Sequence, residues 1–319
     1  MKSLRLHQLE SAPVLEDVPA PVPAAGEVLV RIRACGLNFA DLLMIRGRYQ
    51  ERPNLPVTLG MEVSGEIVAL GPGVTALEVD QRVAVYCGQG GLAEFGVFPA
   101  DRCIPLPERM PFEVAAAMPI AYGTSHLALT RVGRLTAGET LLVLGASGGV
   151  GLTAVEIGAQ IGARVIGAAR GAEKAEVVRA AGAEFVLDPE TDDIREAVKA
   201  QGGADVVYDA VGGDQFRAAF RAMRPEGRIL LIGFASGEVP EIAANHLLVK
   251  NVSVHGFYWG GYLNFAPDVL VNSLKELFQL YDEGHLRPHV SQTFPLERAI
   301  DGLEFLRSRR ATGKVVITT

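Results

Sequence analysis

The chain is poor in cysteine, has no block of positive charge and has no long apolar run. Its three cysteines, Cys35, Cys87 and Cys103, are widely spaced and include no Cys-x-x-Cys pair. The sequence therefore offers neither a disulfide framework nor a four-cysteine zinc site, and we expect reduced, structural thiols. Polar or glycine-rich turns interrupt each apolar segment before the roughly 18 residues that a membrane-spanning helix needs.

The composition is otherwise that of a globular protein of about two domains, at about 100 to 200 residues per domain. Hydrophobic residues make up 49% and charged residues 21% of the 319 residues, which excludes a disordered or fibrous chain. The net charge of −7, with no basic stripe, argues against a nucleic-acid partner. Residues 1–13 alternate like a strand rather than a signal peptide, so we expect a soluble, cytoplasmic protein without a membrane partner.

Metal-binding histidine pairs are also missing. Only His285 and His289 stand four residues apart, and Pro288 between them would break the helix that such a metal face requires. We predict that both are loop residues and that the chain has no metal site.

From residue 140 onward, apolar strand-like segments alternate with glycine-rich turns and helix-like segments such as 150–162 and 172–181. The strand segments are apolar throughout, which is typical of parallel strands buried on both faces. The pattern predicts an α/β domain with a doubly wound parallel sheet. Its six predicted strands are 140–144, 164–168, 184–187, 204–208, 228–232 and 251–257.

The first hundred residues follow a different pattern. Short alternating strands, such as 27–33 and 66–69, lie between clusters of proline and glycine, which predicts a small, mostly β domain. A helix is predicted over 296–309 and a last strand over 314–318. We expect this tail to return to the first domain, so that the sheet domain is inserted in the middle.

A glycine-rich turn follows the strand at 140–144 and precedes a predicted helix. Glycines in this context allow a tight turn and a close approach to a pyrophosphate, which the free N–H groups of the helix would bind. The alternative is a purely structural turn. The predicted dinucleotide contacts here are Gly145, Ser147, Gly148, Gly149, Val150 and Gly151.

The end of the second strand indicates which dinucleotide is preferred. An acidic residue there would accept hydrogen bonds from a free ribose 2′-hydroxyl, but residues 164–170 contain none. Arg170 and Lys174 instead offer positive charge to a 2′-phosphate, which favours NADPH over NADH. The alternative is that both are ordinary solvated cations at the helix end.

Five further segments, together with the glycine-rich turn, carry a resemblance that spans nearly the whole chain. They are Gly36-Leu-Asn38-Phe-Ala-Asp41, Arg46-Gly-Arg-Tyr49, Gly60-Met-Glu-Val-Ser-Gly65, Tyr208-Asp-Ala-Val-Gly212 and Thr312-Gly-Lys-Val-Val316. The chain resembles the zinc-free quinone oxidoreductase (zeta-crystallin-like) branch of the medium-chain dehydrogenase/reductase superfamily. This resemblance implies a GroES-like catalytic domain from residues 1–118 and 258–319, a Rossmann domain over 119–257, and an active site in the cleft between them.

The resemblance also bears on zinc. Zinc alcohol dehydrogenases of the superfamily have Cys-His where this chain has Asn38 and Phe39, and Gly-His-Glu where it has Gly60, Met61 and Glu62. Two ligand positions of the catalytic zinc are therefore occupied by residues that are not zinc ligands. Without a Lewis acid, simple alcohol oxidation is not expected.

The chemistry that remains is hydride transfer to an electron-poor acceptor, whose developing oxyanion needs only hydrogen-bond donors. By the resemblance, Asn38 and Tyr49 donate to the acceptor oxygen and Asp41 orients them or a water molecule. The alternatives are that Asn38 and Asp41 cap the turn before a helix, and that Tyr49 is a packing residue.

The resemblance implies further cofactor contacts, which are Thr124 at the phosphates, Val211 and Gly212 on the nicotinamide side, Arg309 or Lys314 at the adenosine end, and Phe234. Pro189 stands where some quinone reductases have a tyrosine over the 2′-phosphate, a departure that weakens the NADPH prediction. The segment 251–259 is expected to pair across a two-fold axis in a homodimer.

The favoured function is therefore an NADPH-dependent, zinc-independent quinone oxidoreductase acting on a small quinone or conjugated carbonyl compound. A first alternative is a reductase of conjugated C=C bonds in alkenals, enones or enoyl thioesters, because the same donors would hold an enolate. A second is an NADPH-binding sensor or structural protein without catalysis.

Overall fold

The computed structural model describes residues 1–319, which divide into two compact units. Unit 1 comprises residues 1–120 and 274–319, and unit 2 comprises residues 121–273. The contact-based limit at 273 lies beyond the predicted limit at 257, because later residues contact unit 2. Ser273 Oγ lies 2.8 Å from His126 Nδ1, and the indole of Trp259 packs against Gly123.

Unit 1 is built mainly from antiparallel strands. One sheet has the order β2-β1-β4, and a second has the order β15-β16-β3-β5-β6-β8, with β7 also paired to β3. The C-terminal strand β16 pairs antiparallel with β3 and parallel with β15, so the chain end completes the larger sheet. The strands are β1 Lys2–Leu6, β2 Val14–Asp17, β3 Glu27–Leu37, β4 Val57–Thr58, β5 Glu62–Leu70, β6 Arg82–Tyr86, β7 Phe95–Pro99, β8 Cys103–Pro105, β15 Val290–Pro295 and β16 Lys314–Thr318.

Unit 2 contains one six-stranded parallel sheet, which confirms the predicted α/β class and doubly wound sheet. The strand order is β11-β10-β9-β12-β13-β14, so the chain runs outward from β9 on one side and then from β12 on the other. The carboxyl ends of β9 and β12 mark this change of direction, where ligands bind in open α/β sheets. The strands are β9 Thr140–Leu144, β10 Arg164–Ala168, β11 Phe185–Leu187, β12 Ala204–Asp209, β13 Met223–Leu231 and β14 Ser253–Gly256.

Helices cover the sheet of unit 2, and shorter helices complete unit 1. Glycine at position 158 lets one of these helices lie close to β9, because a Cβ there would come within 2.5 Å of Leu141 Cδ2. No helix has the length and apolar character needed to cross a lipid bilayer. The helices are α1 Phe39–Ile45, α2 Phe112–Ala116, α3 Pro119–Leu127, α4 Gly149–Ile161, α5 Ala172–Ala180, α6 Ile194–Ala200, α7 Gly213–Ala222, α8 Ala244–Lys250, α9 Tyr262–Phe265, α10 Pro267–Asp282 and α11 Ala299–Arg307.

The predicted strand 251–257 is shorter, at Ser253–Gly256, and the predicted helix 296–309 is a 3-10 turn at Leu296–Arg298 followed by α11. Two larger differences concern β13 and α10. Strand β13 begins at Met223 rather than at 228. Its pairing with β12 shifts register between Met223 and Arg228, and the intervening residues include Glu226 at a φ of 63°. Helix α10 was not predicted. Its buried residues Leu270, Leu274, Leu277 and Phe278 have the spacing of one helical face. His285 and His289 lie in the loop before β15, as predicted.

Candidate functional site

The turn between β9 and α4 accepts only glycine at two positions. Gly145 has a φ of 70°, in the left-handed region that glycine enters without steric cost. A Cβ on Gly151 would lie 2.1 Å from the carbonyl oxygen of Gly145. The Gly148 N–H donates to that same oxygen at 3.0 Å, so the turn closes tightly against the first turn of α4.

The N-terminus of α4 presents free backbone donors at the carboxyl end of β9. This helix has 13 residues and no acidic side chain in its first turn. No carboxylate of its own first turn therefore neutralises the positive end of the helix dipole. A glycine-lined cradle with such donors fits a dinucleotide pyrophosphate, and Ser147, Gly149 and Val150 lie within this segment as predicted from the sequence.

The buried hydroxyl groups of Ser125, Thr153 and Tyr208 form a cluster at the Val150 carbonyl oxygen, near the start of α4. None of the three was predicted from the sequence as a site residue. Ser125 Oγ donates to the carbonyl oxygen of Val150 at 2.9 Å and lies 2.8 Å from Thr153 Oγ1 and 2.9 Å from Tyr208 Oη. Thr153 Oγ1 also donates to the Val150 oxygen at 3.0 Å. These side chains come from α3, α4 and β12, so no local sequence pattern could identify them.

The loop after β12 reaches the glycine-rich turn. Buried Asp209 accepts hydrogen bonds from the N–H groups of Val211 at 2.8 Å and Gly212 at 2.9 Å, which fixes the backbone of both predicted cofactor contacts. The Val211 side chain lies 3.0 Å from where a Cβ on Gly145 would stand, and Phe234 lies 3.1 Å from the equivalent position on Gly212. Asp209 Oδ2 is buried without a hydrogen bond, and burial raises the pKa of this carboxyl.

The predicted 2′-phosphate residues, Arg170 and Lys174, both follow β10. Arg170 is exposed, and its Nη1 donates to Glu190 Oε1 at 3.2 Å. Lys174 lies in the first turn of α5. Asp188, directly after β11, accepts hydrogen bonds from the N–H groups of Gly171 at 2.8 Å and Glu190 at 3.0 Å. The sequence analysis did not include these two acidic residues.

Unit 1 contains a buried polar cluster around Lys314. Its Nζ donates to Glu62 Oε1 at 2.6 Å, to Asn38 Oδ1 at 2.7 Å and to the Leu37 carbonyl oxygen at 2.8 Å. Glu62 is fully buried, and its other oxygen accepts from the Ile120 N–H at 2.7 Å. Lys314 could therefore reach a phosphate only by leaving a buried carboxylate without its partner, which does not favour the adenosine contact predicted for it.

The amide of Asn38 belongs to the same cluster. Its Nδ2 donates to Glu62 Oε1 at 2.7 Å and to the Gly36 carbonyl oxygen at 3.2 Å, while Oδ1 faces the Lys314 ammonium. Both amide hydrogens are thus in use. Asn38 could donate to an acceptor oxygen only after one of these hydrogen bonds broke.

Asp41 combines a capping role with an unusual ionisation. Its Oδ2 accepts from the Asn38 N–H at 2.7 Å, the capping alternative considered from the sequence, and Asn38 precedes the first residue of α1. Oδ1 is buried and makes no hydrogen bond. Burial raises the pKa of Asp41 to about 7, although the hydrogen bond from Asn38 and the charge of Lys314 lower it.

The remaining predicted residues are spread over the chain. Tyr49 is half-buried in the loop after α1. Burial is the main cause that raises the pKa of Tyr86, and the electrostatic effect of Tyr49 raises it further. Thr124 is buried in α3. Arg309 follows α11 with a left-handed φ of 58°. No contact identifies a ligand for these three, and their roles stay predictions.

The side chains at the positions of the zinc ligands are poorly suited to bind zinc. No group of three or more His, Cys, Asp or Glu side chains is arranged to hold a metal ion. Met61 is a buried thioether, a ligand type that zinc does not favour. The oxygens of Asn38 and Glu62 that face the cluster already bind an ammonium group, which would repel a second cation.

The comparisons with known proteins agree with this architecture. The alcohol dehydrogenase GroES-like domain family matches residues 24–108, and the zinc-binding dehydrogenase family matches residues 149–279.

Relatives match over almost the whole chain. Quinone oxidoreductase-like protein 2 homolog of Nematostella vectensis is 41% identical, covering 92% of this chain and 82% of that protein. The human synaptic vesicle membrane protein VAT-1 homolog is 32% identical, covering 95% and 82%. The crystal structure of Escherichia coli quinone oxidoreductase complexed with NADPH is 28% identical, with a TM-score of 0.94 and full coverage of both chains. The chain therefore belongs to the quinone oxidoreductase-like (zeta-crystallin-like) branch of the medium-chain dehydrogenase/reductase superfamily.

Proposed function

We propose that the protein is an NADPH-dependent quinone oxidoreductase that transfers hydride without zinc. The observation that carries the proposal is the tight turn at Gly145 and Gly151 beside the N-terminus of α4, because a larger side chain at either position would strain the turn or collide with it. Relatives named as quinone oxidoreductases, one of them solved with NADPH, support the cofactor and the acceptor class. Bound NADPH supplies the hydride.

The chain's own residues bind and orient this cofactor. The N–H groups at the start of α4 bind the pyrophosphate, and the Ser125 hydroxyl group holds that turn in place from below. Asp209 fixes the backbone at Val211 and Gly212, which we assign to the nicotinamide side. Arg170 and Lys174 supply positive charge for a 2′-phosphate.

For the acceptor, we assign the hydrogen-bond donor role to Tyr49 ahead of Asn38. Both amide hydrogens of Asn38 are held inside the buried cluster, whereas Tyr49 lies at a half-buried position in the loop after α1 and carries a phenolic O–H. Asn38 and Lys314 then act as supporting residues that hold Glu62 in place. Asp41 is fully buried and accepts the Asn38 N–H at 2.7 Å, so we assign it the role of orienting the Asn38 backbone rather than of contacting the acceptor.

The donor chemistry of the same cluster supports the proposed zinc independence. An ammonium group bonded to Glu62 and Asn38 supplies the positive charge that these oxygens require. We therefore expect activity to survive treatment with EDTA.

The test is oxidation of NADPH and NADH by the EDTA-treated protein with benzoquinone, phenanthrenequinone, 2-hexenal and crotonyl-coenzyme A as acceptors. The proposal predicts turnover with NADPH and a preference for the quinones. A preference for the alkenal or the thioester would identify a reductase of conjugated C=C bonds, and tight NADPH binding without turnover would identify a sensor.

A matched pair of variants tests the assignment of Tyr49. Tyr49→Phe removes a phenolic donor from a half-buried position, and Tyr281→Phe removes one from α10. We expect only the first to lower kcat with quinones, by about tenfold or more. Equal rates for Tyr49→Phe and the unaltered protein would remove Tyr49 from the mechanism.

We also propose a homodimer that forms along β14. This strand is the outer strand of the unit 2 sheet, and the neighbouring helix α8 exposes Leu248 at 76% and Val249 at 75%. An edge strand beside exposed apolar side chains favours pairing with a second copy. Sedimentation should show a dimer at micromolar concentration that Val249→Lys weakens, and a monomer in the unaltered protein would exclude this pairing.

A further inference from the structure

The adenosine end of the proposed dinucleotide site has no excess of positive charge. Arg170 and Lys174 follow β10, while Asp188 and Glu190 follow β11. These two strands are hydrogen-bonded neighbours, with Ala168 opposite Leu187. Their carboxyl ends therefore bring two cationic and two anionic side chains to the same edge of the sheet.

The two acidic residues differ in how they are held. Both carboxylate oxygens of Asp188 accept backbone N–H groups, from Gly171 and from Glu190, so Asp188 is part of the loop framework. The Glu190 side chain is held by a hydrogen bond of 3.2 Å from Arg170 Nη1 to its Oε1. The side chains of Arg170 and Glu190 are 41% and 63% exposed, and such an exposed pair is readily exchanged.

We propose that Glu190 is a specificity-determining residue, which lowers the preference for the 2′-phosphorylated dinucleotide by neutralising Arg170 and repelling the phosphate. This inference rests on the proposed function and deepens it. A 2′-phosphate carries about −1.5 to −2 charges at neutral pH, and to bind Arg170 it has to compete with a carboxylate on the same guanidinium group. A ribose 2′-hydroxyl carries no charge and meets no such repulsion.

The variant Glu190→Gln tests this effect, because it keeps the size of the side chain and removes its charge. Binding is measured by calorimetry with NADPH and NADH, and with the fragments adenosine 2′,5′-bisphosphate and AMP, which differ only in the 2′-phosphate. We expect the Kd for NADPH and for the bisphosphate to fall about five- to tenfold, while the Kd for NADH and AMP changes less than about twofold. The gain should shrink as salt is raised.

The matched control is Glu176→Gln. Glu176 forms a comparable exposed pair with Arg179 on α5, at 3.0 Å, so this variant changes the net charge equally. If Glu190→Gln and Glu176→Gln shift the NADPH-to-NADH ratio alike, or if Glu190→Gln alters both nucleotides by the same factor, the inference is wrong. Failure of the unaltered protein to bind either dinucleotide would instead reject the proposed function.

Discussion

Removing the charge of Lys314 should destabilise unit 1 more than any surface substitution. Lys314 is 3% exposed, and its partner Glu62 is fully buried. Lys314→Met keeps much of the apolar side chain but leaves the Glu62 carboxylate with only the Asn38 amide and the Ile120 N–H. Breaking a buried ion pair on one side costs about 3 to 5 kcal/mol, because an uncompensated charge stays out of water.

The assay is urea unfolding at neutral pH, monitored by far-UV circular dichroism. The double variant Glu62→Gln/Lys314→Met should recover part of the loss, since no net charge then remains in the cluster. Lys2→Met makes the same chemical change at an exposed pair with Glu297 and should change stability far less. The reasoning fails if Lys314→Met costs less than about 1 kcal/mol, or if the effects of the two single substitutions simply add.

Three further predictions concern buried groups. Burial raises the pKa of Asp41 from 3.8 to about 7, so the folded state keeps a proton that the unfolded state loses. Stability should fall between about pH 4 and 7 by on the order of 4 kcal/mol, and Asp41→Asn should remove this part of the pH dependence in calorimetric scans. Gly151→Ala places a Cβ 2.1 Å from the Gly145 oxygen and should lower the free energy of unfolding by about 2 kcal/mol or more. The control is Gly148→Ala, whose Cβ would lie 3.4 Å from the same oxygen. Equal melting temperatures of the two variants would contradict this expectation. Tyr208→Phe should cost about 1 kcal/mol and raise the Kd for NADPH in calorimetric titrations; an unchanged Kd would mean that its hydroxyl does not help to hold the turn.

Elements with a local signal could be predicted from the sequence. Strands β9, β10 and β16 have the predicted bounds, because each is a short apolar run with a turn on either side. Helix α10 carries a helical apolar face but begins at Pro267, directly after a glycine- and aromatic-rich segment. Proline is favourable at the first helical position, so Pro267 indicates the start of a helix. The prediction missed it because the strand-helix alternation ends before this residue.

The candidate site divides in the same way. The glycine-rich turn was identified because its strand, turn and helix are contiguous. The cluster of Asn38, Glu62 and Lys314 was not, because its hydrogen bonds join residues 276 and 252 positions apart. Only the pairing of β16 with β3 brings Lys314 beside Leu37 and Asn38, and no spacing rule expresses that pairing.

The charge around Arg170 depends on residues that follow two neighbouring strands, β10 and β11. The rule for a ribose 2′-hydroxyl concerns an acidic residue at the end of β10, and residues 164–170 contain none. Parallel strands end at a common edge, so the residues after β11 belong to the same site. Asp188 and Glu190 lie there, and Glu190 binds the arginine that was expected to favour NADPH. The preference between NADPH and NADH therefore depends on the ends of two neighbouring strands together, and inspecting one strand overestimates the positive charge that a 2′-phosphate would meet.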